Sequence, residues 1–295
     1  MKKEFEMVVR GKKKVIDPKT KAKLIKILYI VIALVVVFAI LFPLLWMIPG
    51  AWKTRVDIWH VPPKWLPTSF TWDNFEKVFK VTRQYDFAKS MLMTTVVALL
   101  ATIGSLFVNT FAAYAFARIE FPFKKVLWVL YLFPMFVPGI TILLTSLKVV
   151  NDLQMMDTMF VLFVPSLASA YQTFFFRQFF LGIPTAYEEA AEIDGCNKLA
   201  IFFKIFLPMS VTPLIIQGVG VFMAHWNSYL WPTLTVTGNN DLQQVMQVIK
   251  LLYSNNPSDY GVTIAASLIS MLPPLVIFAF AQKQIVQGVT LSGIK

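Results

Sequence analysis

Six long apolar stretches follow one another along the chain, separated by shorter polar segments. They cover residues 27–49, 88–117, 126–147, 160–181, 208–231 and 262–282. A helix needs about 20 consecutive apolar residues to cross the hydrocarbon core of a bilayer, and each stretch is long enough. The first is too long for the core of a cleaved signal peptide and lacks a small-x-small cleavage site. The pattern predicts an all-α integral membrane protein with six transmembrane helices, the first of them a retained anchor.

The composition narrows the class further. Of the 295 residues, 57% are hydrophobic and only 15% are charged, whereas about a quarter of the residues are charged in a soluble domain. The single cysteine, Cys196, excludes an intramolecular disulfide. These values exclude a soluble domain, intrinsic disorder and a disulfide-rich scaffold, and they place the chain in the lipid bilayer.

The net charge of +11 is concentrated at the N-terminus, where ten of the 27 Lys and Arg residues precede residue 27. With that end inside, the inner segments carry eighteen basic residues and the outer segments nine, so the positive-inside rule predicts that both termini are cytoplasmic. No stacking platform or recognition motif accompanies the charge, and we expect no nucleic-acid partner. The predicted segments are a basic tail 1–26, a six-span domain 27–282, external loops 50–87 and 237–260, a cytoplasmic loop 182–207 and a cytoplasmic tail 283–295.

Chemistry-bearing residues are scarce. Only His225 lies clearly inside a predicted span, with Arg177 near the inner end of the fourth, whereas ion-coupled transporters carry ionisable groups at mid-membrane. The chain has no G-x-x-x-x-G-K-[ST] loop, no H-E-x-x-H and no G-x-S-x-G. His60 and His225 are too isolated to build a metal site. We therefore expect no catalytic residue, no metal and no cofactor bound by this chain, and no enzymatic activity of its own.

The loop 182–207 has the sequence pattern of a helix, a tight turn and a second helix. Thr185 and Glu188 form a T-x-x-E capping box at the start of the first helix. Gly195 favours the left-handed conformation of a helix stop, and Asn197 is a good cap for the second helix. The first helix is acidic, with Glu188, Glu189 and Glu192 close together. This cluster is either a solvated charged helix or a surface that a basic partner covers.

The spacing in this loop carries a family resemblance. The pattern E-A-A-x-x-D-G at residues 189–195, Phe202 seven residues after the glycine, and then Leu207-Pro208 resemble the signature loop of ABC importer permeases. Cys196 stands where that pattern usually has a small residue, often Ala. The resemblance implies a six-span permease whose loop docks into a cytoplasmic ATPase subunit. The coupling residues it implies are Glu188, Glu189, Ala190, Ala191, Asp194, Gly195, Phe202, Leu207 and Pro208.

The remaining chain is similar to the smaller, maltose-type permease of carbohydrate importers. The resemblance implies a second permease subunit, a different chain, as well as an ATPase dimer that binds the ATP and Mg and an extracytoplasmic sugar-binding protein. It also implies a prokaryotic cytoplasmic (inner) membrane. A stretch in the third span resembles the family's kinked segment, and a stretch at the outer end of the fifth resembles its sugar-permease form. The substrate-pathway candidates in these stretches are Pro134, Pro138, Gly139, His225, Trp226, Asn227 and Tyr229.

Each pathway candidate also has a structural alternative. The prolines and Gly139 either open backbone carbonyls to a water-filled cavity or form a packing kink. The aromatic and amide residues either contact sugar or belong to an interfacial belt with one buried amide. The leading hypothesis is a permease subunit of an ATP-driven, binding-protein-dependent sugar importer that forms half of the translocation pathway. The alternatives are the same permease for a polyol, glycerol phosphate or uronate oligosaccharide, an ATP-independent carrier, and a membrane enzyme.

Overall fold

The computed structural model describes residues 18–292, in which every regular element is a helix. The α-helices are α1 Pro18–Ala51, α2 Arg55–Ile58, α3 Asp73–Phe79, α4 Phe87–Arg118, α5 Lys124–Leu132, α6 Gly139–Asp152, α7 Met159–Phe163, α8 Ala170–Leu181, α9 Ala186–Ile193, α10 Lys198–Ile201, α11 Leu207–Met209, α12 Val211–Trp226, α13 Leu230–Thr235, α14 Val245–Asn255, α15 Tyr260–Ser270 and α16 Leu272–Ser292. Three 3₁₀ segments, Phe133–Phe136, Val164–Ser166 and Asn240–Leu242, and one π segment, Phe202–Phe206, complete the set.

Six membrane-crossing segments account for the predicted spans, but only three of them are continuous. The continuous spans lie in α1, in α4 and in the combined length of α15 and α16. If each bent pair counts as one span, the other three are Lys124–Phe136 with Gly139–Asp152 at 105°, Met159–Ser166 with Ala170–Leu181 at 46°, and Lys198–Met209 with Val211–Trp226 at 79°. The first helix of the last pair lies mostly within the predicted loop 182–207. The six-span fold is confirmed. What the apolar pattern does not reveal is that half of the spans bend sharply.

Prolines account for these breaks. Pro134 lies in one 3₁₀ segment, Pro165 in another, and Pro138 directly precedes α6. Proline lacks the N–H that would continue the helical hydrogen-bond ladder, and its ring clashes with the preceding turn. Pro208, in α11, lies two residues before the junction at Ser210 that starts α12. The breaks are therefore encoded locally.

Helical structure extends into both predicted tails. Helix α1 covers Pro18–Ala51, so the part of the predicted tail 1–26 that the structure describes is helical. At the other end α16 continues to Ser292, through most of the predicted tail 283–295. The rest of the two predicted tails, residues 1–17 and 293–295, lies outside the described residues.

Helix α4 is the central element, because it packs against both α8 and α12. One buried cluster joins the C-terminal end of α1 with α3, α14 and α15, and includes Ala51, Val78 and Leu252. A second lies at the opposite end of α4, where Tyr114, Phe176 and several other aromatic rings meet the loop 182–207. The loop is thereby packed directly onto the helical bundle.

A buried amide holds the broken fourth span against α4. The side chain of Asn109 is fully buried, and its Nδ2 donates to the Leu167 carbonyl at 2.8 Å and to Gln172 Oε1 at 2.9 Å. Its Oδ1 accepts from the Ser169 amide at 2.8 Å and from Thr173 Oγ1 at 2.9 Å. Leu167 and Ser169 flank the break, so one side chain satisfies backbone groups that the helix no longer pairs.

Candidate coupling loop and substrate pathway

The loop 182–207 forms the predicted helix, turn and helix. Helix α9 ends in a turn where the Gly195 amide donates to the Glu192 carbonyl at 3.0 Å and the Cys196 amide to the Ala191 carbonyl at 2.9 Å. Gly195 has φ of +80°, in the left-handed region that glycine adopts without a steric penalty. Asn197 Oδ1 accepts from the Ala200 amide at 2.8 Å, which confirms the predicted cap of α10.

The predicted capping box is wrong. Thr185 has helical dihedrals and its side chain caps no amide, so it lacks the extended conformation that a capping side chain needs. Glu188 points inward instead, with a side chain only 10% exposed. Its carboxylate lies 2.8 Å from Lys198 Nζ and 4.0 Å from Arg118 Nη1. The Glu188 carboxylate, which the sequence pattern assigns to the helix cap, therefore pairs with Lys198 and Arg118 instead.

The acidic cluster is divided between an inner and an outer part. Lys198 forms ion pairs with both Glu188 and Glu192, and Arg118 adds a second cation beside Glu188, so this chain itself compensates two of the carboxylates. Glu189 is exposed and has no ion pair among residues 18–292. Around it the α9 surface exposes Tyr187 and Ile193, the latter to 87%. The outer face of α9 is therefore both acidic and apolar, and it has no partner within this part of the chain.

The second half of the loop is anchored by aromatic packing. Phe202 and Phe206 are fully buried. Their ring centroids lie 5.3 and 5.0 Å from that of Tyr114 on α4, and Phe206 lies 5.4 Å from Phe180 on α8. Such ring pairs add to the free energy gained from burial alone. A displacement of the second half of the loop would thus be transmitted to α4 and α8 through these ring contacts.

The predicted coupling residues fall into two groups. Glu188, Ala191 and Phe202 are buried and join the loop to the bundle, and Leu207 packs partly against the same cluster. The exposed group is Glu189, Ala190, Asp194, Gly195 and Pro208. A partner that docks on the surface of the loop could contact Glu189, Ala190, Asp194 and Gly195. Pro208 is exposed too, but it lies at the start of the membrane segment.

Arg118 is a contact residue of the loop that sequence reasoning missed. It is the last residue of α4, and its Nη2 donates to the Phe180 carbonyl at 2.6 Å and to the Ile183 carbonyl. Its guanidinium also lies 5.1 Å from the centre of the Phe206 ring. A cation suits the carbonyl end of a helix, here that of α8. In the sequence Arg118 counts only as one of the basic residues on the predicted cytoplasmic side. Nothing in the pattern indicates that it connects α4 with α8 and the loop 182–207.

Two adjoining cavities lie along α12 beside the broken spans. The first, about 280 Å³, is lined by Gly139, Ser146, Ser166 and His225 among others. The second, about 380 Å³, shares Ser166 and His225 and adds Gln172. His225 Nε2 and Ser166 Oγ lie 2.8 Å apart, and His225 Nδ1 lies 3.0 Å from the Val221 carbonyl. The side chains that line these cavities are apolar or neutral and polar.

Of the predicted pathway residues, Gly139 and His225 lie together in the first of these cavities. Trp226 is 2% exposed, stacks on Phe222 and donates from Nε1 to the Ser270 carbonyl at 3.1 Å. Asn227 donates to the Met223 carbonyl at 2.9 Å and lines a different cavity with Trp226. Trp226 therefore has almost no ring surface open to a sugar in this structure.

The other three candidates lie outside the two cavities. Pro134 and Pro138 are exposed at the break before α6, and Tyr229 is 41% exposed just before α13. The sequence pattern does not identify the neutral Ser and Gln residues that line the cavities, because they form no motif. Ser105, Ser166, Ser169, Gln172 and Gln217 were visible only as polar positions inside apolar stretches.

The Asp157 carboxylate holds the start of the predicted external loop 237–260. Asp157 Oδ1 accepts from the amides of Thr237 and Gly238, each at 2.7 Å. These backbone hydrogen bonds, that from Gly238 foremost, favour the ionised form and lower the pKa of Asp157. The loop then forms α14. Within residues 18–292 no cluster of three His, Cys, Asp or Glu residues could hold a metal ion.

Comparison with known proteins agrees on one family. The family model described as "Binding-protein-dependent transport system inner membrane component" matches residues 109–290, more than half of the chain. The sn-glycerol-3-phosphate transport system permease protein UgpE of Pectobacterium atrosepticum is 31% identical over 88% of this chain and 93% of that protein. The arabinooligosaccharides transport system permease protein AraQ of Halalkalibacterium halodurans is 29% identical over 88% of this chain and 93% of that protein.

A solved structure shows the same fold. It is the crystal structure of a bacterial ABC transporter involved in the import of the acidic polysaccharide alginate. One of its chains superposes with a TM-score of 0.77 at 18% identity, covering 89% of this chain and 97% of that chain. With the six spans and the loop geometry, these matches show that the chain belongs to the family of binding-protein-dependent transport system inner membrane components and is a permease subunit of an ABC importer.

Proposed function

We propose that this permease imports neutral sugars or oligosaccharides, forms half of the translocation pathway, and is driven by a cytoplasmic ATPase through the loop 182–207. The observation that carries the sugar assignment is the lining of the two cavities around His225. Among the described residues that line them, the polar groups are hydroxyls, carboxamides, one imidazole and one indole, with no Lys, Arg, Asp or Glu.

A neutral polar lining suits a solute rich in hydroxyl groups. Hydroxyl and amide side chains donate and accept hydrogen bonds, and so match sugar hydroxyls of either polarity. A phosphate or uronate carboxylate is recognised by Arg or Lys, which give shorter and stronger charge-assisted hydrogen bonds. Of the relatives, AraQ is named for arabino-oligosaccharides, whereas UgpE is named for glycerol 3-phosphate. The absence of a cation from these cavity linings favours the first kind of solute.

The outer face of α9 supports the coupling role. It presents Glu189, Asp194 and the apolar side chains Tyr187 and Ile193, a combination that suits a cleft with basic and apolar walls. Behind that face, Glu188 and the two buried rings connect α9 with α4 and α8. A rigid-body movement of the ATPase subunits would then tilt the membrane helices as a unit.

The proposed complex contains a second permease chain, an ATPase dimer that binds the ATP and Mg, and an extracytoplasmic sugar-binding protein near loop 237–260. This chain would bind no nucleotide, metal or other cofactor itself and would have no catalytic residue. Both of its termini would be cytoplasmic in the inner membrane, as the basic residues near its N-terminus suggest.

Solute uptake by intact cells tests the sugar assignment. A strain lacking this chain and the same strain complemented with it are each given one of three radiolabelled solutes, a neutral oligosaccharide, glycerol 3-phosphate or a uronate oligosaccharide. We expect complementation to restore uptake of a neutral oligosaccharide, with no competition from a large excess of glycerol 3-phosphate. Restored uptake of glycerol 3-phosphate or a uronate oligosaccharide alone would show that the cargo is anionic and the lining argument wrong.

A further inference from the structure

A further cavity, lined in part by charged residues, lies away from the proposed pathway, at the end of the bundle that carries the loop 182–207. It measures about 720 Å³ and lies between the end of α4, the start of α5 and the end of α8. Its charged lining residues are Lys124, Lys125, Arg177 and Glu120, three cations against one carboxylate. The coupling and pathway assignments use none of these four side chains.

The single carboxylate does not neutralise the cavity. Glu120 is paired with Lys124, with Nζ and Oε1 2.8 Å apart, and this hydrogen bond lowers the pKa of the carboxyl. Lys125 is exposed and forms no ion pair within the described chain, although its charge also acts on Glu120. Arg177 donates from Nε to the Phe116 carbonyl at 3.1 Å, and its guanidinium lies 4.4 Å from the centre of the Trp128 ring. Two positive charges therefore remain uncompensated.

The first turn of α5 adds to this positive field. The helix begins at Lys124, has no acidic residue in its first turn, and follows Phe123, whose side chain caps no amide. The amides of such a turn lack helical acceptors, and the helix dipole is positive there. Lys125 and Val126, both in this turn, line the cavity. An anion in the cavity would meet fixed side-chain charges and helix amides together.

The rest of the lining is apolar and open to the outside of the bundle. Val126 and Val129 on α5 are 57% and 66% exposed, and Leu181 on α8 is 45% exposed. A free inorganic anion gains nothing from this surface, whereas an acyl chain does. The positive-inside rule places this end at the cytoplasmic leaflet, where anionic lipids are attracted by basic residues.

We propose that this cavity binds the headgroup of an anionic phospholipid of the cytoplasmic leaflet, with its acyl chain against the apolar side of α5. Lys125 and Arg177 attract the phosphate, the first turn of α5 orients it, and Trp128 lies beside it. The site fixes the start of α5 relative to the ends of α4 and α8.

Quenching of Trp128 by brominated lipids tests the proposal. The full chain is reconstituted in phosphatidylcholine vesicles that contain either brominated phosphatidylglycerol or brominated phosphatidylcholine, with bromines near the headgroup. The Trp128 signal is the difference between the chain and its Trp128→Phe variant, which retains an aromatic ring. We expect phosphatidylglycerol to quench this signal preferentially, and Lys125→Gln to lower that preference about fivefold, the effect of one basic residue near an anionic surface.

Lys148→Gln is the matched control, because Lys148 is exposed at the other end of the bundle and pairs only with Asp152. It removes the same charge and should leave the preference unchanged. Equal quenching by the two lipids, or an equal loss in the Lys148→Gln variant, would overturn the proposal. Loss of the preference on addition of millimolar inorganic phosphate would show a site for soluble anions and would also overturn the lipid assignment.

Discussion

Gly195 offers the sharpest test of the loop, because its role depends on backbone conformation alone. Its φ is +80°, and a Cβ placed there would have no atom within 4 Å. Any cost of a side chain therefore comes from the dihedral angle and not from a clash. An L-residue in the left-handed region costs about 1–2 kcal/mol, Asn tolerates the region better than Ala, and proline cannot enter it.

These costs give an order of effects for three variants. If the turn must keep its conformation for the ATPase to dock, Gly195→Ala weakens docking about five- to thirtyfold, since 1.4 kcal/mol corresponds to a factor of ten. Gly195→Asn weakens it less, although Asn is the larger side chain. Gly195→Pro is the most severe, because it also removes the amide that donates to the Glu192 carbonyl.

The assay measures the apparent affinity of the solubilised permease pair for the ATPase, and then the solute transported per ATP hydrolysed in proteoliposomes. The Ala and Asn variants serve as controls for each other. Steric bulk predicts the greater loss for Asn, whereas dihedral strain predicts the greater loss for Ala. A greater loss with Asn than with Ala would refute the conformational argument. Normal docking and transport in all three variants would refute a role for the turn altogether.

Three further predictions concern stability. Arg118→Ala leaves the carbonyls of Phe180 and Ile183 without this donor, while Glu188 keeps its ion pair with Lys198. We expect about 1–3 kcal/mol of lost unfolding free energy and a lower melting temperature in detergent, with only partial rescue by Arg118→Lys. Asn109→Leu keeps the side-chain volume but leaves the Leu167 carbonyl and the Ser169 amide without their hydrogen-bond partner. We expect each unsatisfied group to lower the free energy of unfolding by about 1–3 kcal/mol, and an unchanged melting temperature would contradict the role of Asn109. The pKa of Asp157 is lower in the folded than in the unfolded chain. Its contribution to stability is therefore complete above the unfolded pKa of about 4 and is lost as the pH falls through the lower pKa of the folded state. Amide exchange at Thr237 and Gly238, corrected for intrinsic rates, should therefore accelerate at acid pH, and the Asp157→Asn variant should already exchange faster at neutral pH.

The sequence predicts the number of spans and the helix–turn–helix of the loop because both depend on local patterns. Apolar stretches define the spans, and Gly195 and Asn197 define the turn. Helix ends are harder, because α1 extends beyond its apolar stretch from Pro18 and helical propensity continues through the flanking basic residues. The sharp bends are suggested by proline positions, but their angles depend on packing against α4.

Contacts between distant segments are what the sequence does not reveal. Glu188 fits a capping box locally, yet its carboxylate is drawn to Arg118 and Lys198, one of them 70 residues away along the chain. Trp226 fits a sugar-stacking aromatic by type, yet it faces the core because Ser270 offers a buried acceptor for its indole. Asn109 looks like one polar residue in a long apolar helix, and only the fold shows which backbone groups it satisfies.

Our expectation is that this chain works as one permease of an ATP-driven importer. Its most direct test is purification of the tagged chain from its native host in mild detergent, with mass spectrometry of the proteins that remain bound. We predict recovery of a second permease chain and an ATPase, with solute transport in liposomes that requires ATP and the binding protein. Recovery of this chain alone, active in liposomes without ATP, would contradict the account.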